Sequence, residues 1–127
     1  MEKYEMGWNK KSFELPYGGG AIWCEHLDSL CGQKELVMQK FSDDLNQIKK
    51  PSTSSFIAVI LDETAVDEEL AFFILRPLMQ LEKPLRKVVF VGLHPKMKKI
   101  IQRESCAVPF KMKCIDDLEK AKEWLVH

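Results

Sequence analysis

The sequence predicts an α/β domain built on a mixed, mostly parallel sheet of four to five strands with about four helices. Three observations predict it. Two runs, FIAVIL at residues 56–61 and VVFV at residues 88–91, are apolar without alternation, the pattern of strands covered on both faces. Segments with apolar residues at helical spacing follow each run, and strands that alternate with helices pair in parallel through right-handed crossovers. Near the start, a Gly18-Gly19-Gly20 triplet marks a tight turn, because glycine takes positive φ at little cost. The hairpin closed by that turn makes the sheet mixed.

Residues 11–15 read as a short edge strand, residues 16–20 as the turn, and residues 21–27 as the partner strand, with Ile22 and Cys24 on one face and Trp23 on the other. A helix is predicted over residues 33–49, where Val37, Phe41, Leu45 and Ile48 make one stripe. PSTSS at residues 51–55 is the clearest loop. After the strand at 56–61, Thr64 with Asp67 resembles a capping box, opening a helix that runs to about Leu81. Pro77 lies inside this helix and predicts a kink or a restart. On a helical wheel its core stripe is Leu70, Phe73, Ile74, Pro77 and Leu78, and a second apolar strip, Phe72, Leu75 and Met79, falls nearly opposite. The strand at 88–91 leads through Gly92 and His94 to a helix at 96–103, with Pro95 at its first turn and Met97, Ile100 and Ile101 inward. A strand at 110–115 and a final helix capped by Asp116 complete the order, with Leu118, Ala121, Trp124 and Leu125 inward. Residues 1–127 read as a single domain.

Composition excludes several function classes. Lys and Arg number 19 against 19 Asp and Glu, so the basic excess usual in nucleic-acid and membrane-surface binders is absent. The longest apolar runs, residues 56–61 and 70–75, fall far short of the ~20 residues a bilayer span needs. Residues 1–11 are charged and hold no secretory apolar stretch, so a cytoplasmic location is expected. Cys24, Cys31, Cys106 and Cys114 form no C-x-x-C pair and read as reduced, mostly buried thiols. Cys24, His26 and Cys31 lack zinc-ligand spacing. No nucleophile elbow, phosphate loop or metal-binding helix pair occurs, so no enzyme, cofactor or metal is expected. His94 reads as a turn residue at a helix start. Lys96, Lys98, Lys99, Arg103, Lys111 and Lys113 read as a solvated basic face.

Four stretches resemble the STAS domain family, whose members include anti-sigma factor antagonists. They are AIWCEHLDSL, IAVILDETAVDEELAFFIL with Asp62 at the strand end, KVVFVGLHPKMKKIIQ, and FKMKCIDDLEKAKEWL. Together they span about residues 21–127, and their order and spacing carry the resemblance; the last two are most similar to the SpoIIAA-like subgroup. The resemblance implies a non-enzymatic regulatory module that binds another protein, such as an anti-sigma-type regulator, or itself as a homodimer.

The chain departs from the family at one point. Partner-switching members carry Asp-Ser-Ser-Gly, with a phosphorylated serine, at the start of the helix after the central strand. Here that region reads Thr64-Ala65-Val66-Asp67-Glu68-Glu69-Leu70, and Thr64 is its only hydroxyl. Thr64 is expected to cap the helix. Asp62, Glu63, Asp67 and Glu68 place fixed negative charge at the helix N-terminus, where the dipole favours it, in place of a phosphorylation switch. With Phe72, Leu75 and Met79 they form the candidate partner-binding surface. Residues 1–10, with Tyr4, Met6 and Trp8, are a competing cover for the apolar strip. The alternative function is a carrier of a small apolar ligand or lipid, held between helix and sheet.

Overall fold

The computed structural model describes residues 11–127. The order is β1 (Phe13–Tyr17), β2 (Gly20–His26), α1 (Lys34–Ile48), β3 (Phe56–Ile60), α2 (Glu68–Met79), β4 (Lys87–Val91), α3 (Pro95–Gln102), a short 3-10 turn (Arg103–Cys106), β5 (Lys111–Cys114) and α4 (Leu118–Val126). The strands form one five-stranded sheet in chain order. β1 pairs antiparallel with β2, from Phe13 opposite Cys24 to Tyr17 opposite Gly20. All later pairs are parallel. The α/β class and the mixed sheet predicted above are thus present, with four α-helices.

Because the sheet grows in chain order, each right-handed crossover puts its helix on the same side. α1, α2 and α3 therefore share one face, packing Val37, Phe41, Leu70, Ile74 and Ile101 against Trp23, Ile57, Val59, Val88 and Phe90. α4 covers the other face, where Ala121 and Leu125 meet Ile22, Cys24, Ala58, Ile60, Val89 and Val91. β3 and β4 are adjacent and buried from both sides, as their unbroken apolar runs require. Among the described residues, no helix is long and apolar enough to cross a membrane.

Several expectations shift. The edge strand lies at Phe13–Tyr17 and includes Pro16, which a sheet edge tolerates because its missing N–H costs no ladder bond there. The turn is only Gly18-Gly19, with φ of 58° and 85°, the geometry a two-residue hairpin loop demands. Asp67 caps α2, its Oδ1 accepting from the Leu70 N–H at 2.8 Å. Asp117 caps α4, accepting from the Glu119 and Lys120 N–H groups, whereas Asp116 pairs with Lys98. Pro77 sits in the last turn of α2, which ends two residues later at Met79. Two thiols are exposed, Cys31 and Cys106; Cys24 is buried, and burial pushes the Cys114 thiol up to about 11.

The largest correction concerns α2. Its buried residues are Leu70, Ala71, Ile74, Leu75 and Leu78, so its inward face is turned by roughly 60° from the predicted stripe at 100° per residue. Phe73 and Pro77 move to the half-exposed side, and Leu75 becomes fully buried core. The reason is position. α2 lies between α1 and α3, and its apolar residues circle most of the helix, so neighbouring helices choose the face. Phe73 packs sideways, edge-on to Phe41 with ring centroids 6.3 Å apart. Leu75→Ala should therefore cost about 2–5 kcal/mol and Phe72→Ala about 1 kcal/mol, read from urea midpoints at unchanged slope. Equal losses would return Leu75 to the surface.

Candidate functional site

The loops that leave the C-terminal ends of β2 and β3 are stitched together by backbone bonds, and the loop after β4 packs against them. The Ser29 N–H donates to the Asp62 carbonyl at 2.7 Å, the Cys31 N–H to the Glu63 carbonyl at 2.9 Å, and the Ala65 N–H to the Cys31 carbonyl at 2.7 Å. Ser29, Cys31 and Glu63 all take positive φ, at 61°, 50° and 57°, a region that costs a non-glycine residue about 1–3 kcal/mol and is held here by those bonds. Thr64 completes the join. Its hydroxyl donates to the Leu27 carbonyl at 2.5 Å and accepts from the Leu30 N–H at 3.1 Å. It fastens one loop to the next and does not cap a helix. Gly92 packs its backbone on Asp62: with φ at 93°, an added Cβ would stand 2.5 Å from Asp62 Oδ1.

Carboxylates gather above this join. Partial burial raises the pKa of Asp62, and Asp28, Asp116 and Glu63 raise it further. A hollow of about 510 Å3 opens beside them, lined by Cys31, Glu63, Thr64, Gly92 and His94. Lys34 reaches across from α1 to Asp67 at 2.8 Å and to Glu69, and its ammonium holds the Asp67 carboxyl below its ordinary range. Among the described residues, no group of three or more His, Cys, Asp or Glu is arranged to hold a metal ion. His26 pairs with Asp28 at 3.0 Å.

A second, larger groove of about 710 Å3 crosses the outward side of α2. Phe72, Phe73 and Pro77 with Met38 of α1 supply its apolar surface, and Glu68, Glu69, Arg76 and Glu104 its polar rim. The Arg76 guanidinium lies 5.5 Å from the Phe72 ring centre, an attraction that keeps the ring covered on one side.

The predicted surface residues thus divide. Asp62, Glu63 and Thr64 belong to the loop crown. Asp67 and Glu68 begin α2, and Glu68 joins Phe72 in the groove. Leu75 is core. Met79 packs against the core at the far end of the helix, roughly 16 Å along the axis from Glu68. Phe73, Pro77, Met38 and Glu104 were missed as surface residues. The expected cover by Tyr4, Met6 and Trp8 lies outside the described residues.

Sequence reasoning also missed a buried polar cluster under α1. Glu25 is 0% exposed and Lys40 3%. Glu25 Oε1 accepts from the Trp23 indole N–H at 2.8 Å. Its Oε2 finds no donor among the described residues, while Asp44 faces it and Lys40 lies nearby. Asp44 Oδ2 accepts from the Ser12 hydroxyl at 2.7 Å and from Lys40 at 3.1 Å. Burial pushes the Glu25 carboxyl well up, and Asp44 pushes it further. Asp44 lies against the Glu25 carboxyl, and the Ser12 hydroxyl, which accepts from the His26 N–H at 2.9 Å, ties the start of β1 to β2 and to Asp44. The signal was present: Glu25 follows Trp23 on the helix-facing side of β2, and Lys40 and Asp44 continue the spacing from Leu36 along α1.

Compared with protein-family models, with curated proteins and with solved structures, the chain finds no match.

The buried pair makes a pH prediction. Glu25 has its folded pKa raised, so the folded chain keeps a proton that the unfolded chain releases in the ordinary carboxyl range. The resulting stabilisation is complete below that range and is lost as pH rises from it up through the raised folded pKa. Glu25→Gln offers an N–H in place of the O–H. It should stay within about 1 kcal/mol of wild type at acidic pH and flatten the decline, read from urea midpoints between about pH 4 and pH 9. A Gln variant that is strongly destabilised at every pH would mean that Glu25 is ionised in the fold. Thr64 yields a second expectation. Its hydroxyl is engaged on both sides and sits among Asp62, Glu63 and Asp67, so mass spectrometry of protein from its host should find no substantial phospho-Thr64.

Proposed function

We propose that this chain is a non-enzymatic regulatory module of the STAS type that binds another protein through the groove on the outward side of α2. The observation that carries the reading is the groove itself. Half-exposed aromatic side chains on the middle helix of a covered sheet are unusual for a solvent-facing strip, and an apolar floor inside a charged rim is the anatomy of a docking surface. The resemblance over residues 21–127 supports the family reading, and that resemblance implies partner binding in the same region. The side chains between helices and sheet are tightly packed, with Phe41, Phe90, Leu61 and Ile74 each at 0–1% exposure. That filling gives no support to the carrier alternative.

Charge sets the kind of partner. Glu68, Glu69 and Glu104 outnumber Arg76 around the groove. A second copy seated groove to groove would set these carboxylates against their own equivalents, so the groove suits a different protein that offers an amphipathic helix with apolar anchors flanked by Lys or Arg. With no phosphorylation switch at Thr64, the fixed carboxylates at the start of α2 set the affinity, and regulation follows from the amount of partner.

A peptide with Leu at helical spacing and flanking Lys, titrated into the labelled chain by NMR, should shift the amides of Glu69, Phe72, Phe73 and Arg76. Phe72→Glu should weaken binding on the order of tenfold or more. Equal binding of a peptide with Glu flanks, or shifts confined to other surfaces, would sink the proposal.

A further inference from the structure

β5 is an edge of the sheet: among the described residues it pairs with β4 alone. The Lys111 N–H donates to the Arg86 carbonyl at 3.1 Å and the Ile115 N–H to the Phe90 carbonyl at 3.0 Å. Odd-numbered residues therefore turn their backbone groups towards β4, and the N–H and C=O groups of Met112 and Cys114 point outward, as an open parallel edge requires.

The side chains on this edge carry one sign. Lys111 and Lys113 are exposed, and Lys87 stands opposite Lys111 in the register. Lys113 lies 5.7 Å and Lys87 5.0 Å from the Trp124 ring centre, which places all three on the α4 side of the sheet. α4 itself packs over β2, β3 and β4, so Trp124 forms a wall and the strip over β5 is left uncovered by that helix. Among the described residues, neither Lys111 nor Lys113 makes an ion pair. Like charges directly opposite one another in a sheet oppose pairing, and here Trp124, through its ring and its carbonyl, which accepts from Lys87 at 2.9 Å, offsets them without supplying a negative charge.

We propose that the open edge of β5 accepts an extended acidic segment of a partner protein as an added strand, with carboxylates at alternate positions facing Lys111 and Lys113. The alternation is what a strand supplies, since every second side chain points to the same face. The backbone groups of Met112 and Cys114 supply the attachment, and the lysines supply the choice of sequence. The same lysines exclude a second copy, because β5 laid against β5 would set lysine against lysine. This surface is separate from the α2 groove: it lies at the sheet edge on the α4 side, and it holds whether or not the groove binds a helix.

The test is amide hydrogen exchange of the whole chain with a heptapeptide alternating Thr and Glu, and with its Thr-Lys counterpart, both at millimolar concentration. The Glu peptide should slow exchange at Met112 and Cys114 on the order of tenfold, with loss of the effect in high salt. The Lys peptide should leave these amides unchanged. The double variant Lys111→Glu with Lys113→Glu, checked for an intact sheet by the protection of Val89 and Phe90, should reverse the preference. No protection, or equal protection by both peptides, would overturn the proposal. So would an oligothymidylate that shifts Trp124 while the Glu peptide leaves Met112 and Cys114 exposed to exchange.

Discussion

β3 and β4 are apolar on both faces, and the rest of the fold is arranged to keep both faces dry. Ile57, Val59, Val88 and Phe90 need cover on one side and Ala58, Ile60, Val89 and Val91 on the other. Crossovers of one hand supply three helices to the first side. The second side waits for α4, which must pass round the β5 edge to reach it. Apart from the buried Glu25 cluster under α1, the polar features of interest therefore lie away from the two strands: in the loops at their ends, on the outer side of the helices, and at the sheet edge.

Fixing the loops costs backbone strain at Ser29, Cys31 and Glu63. The strain is offset by a ladder of short bonds that continues the β2–β3 pairing beyond the strands, with the Thr64 hydroxyl as its last member. This ladder sets the start of α1 relative to the start of α2. The Lys34 bridge to Asp67 and Glu69 then spans two helices already held in place. Exposed ion pairs of this type contribute little alone; their effect is to leave Glu68 outside the bridge, on the rim of the groove with Phe72.

Legibility in the sequence followed the physical origin of each feature. Strands buried on both faces were readable because nothing but apolar residues will serve there, and the alternation of Ile22 and Cys24 against Trp23 appears as predicted. The face of α2 was not readable. A helix flanked on two sides buries a wide arc, so its apolar residues overdetermine the wheel, and Leu75 and Phe73 exchange roles. Capping was misassigned by a few residues at α2, where Thr64 and Asp67 were both suitable, and by one residue at α4, where Asp116 and Asp117 were; the choice rests on which side chain has another partner. The Glu25 cluster escaped because its members sit 15 and 19 residues apart, at Glu25, Lys40 and Asp44, and no single window of sequence contains their complementarity.

The lateness of α4 has a consequence during synthesis. All five strands precede it, so any sheet formed before α4 docks leaves Ile22, Ala58, Ile60, Val89 and Val91 bare on one side. A nascent chain at that stage presents a continuous aliphatic surface to its neighbours on the same message. Only the arrival of Ala121 and Leu125 withdraws it. A chain cut short between β5 and α4 would be an aggregation-prone species, whereas one that keeps α4 closes both faces of the sheet.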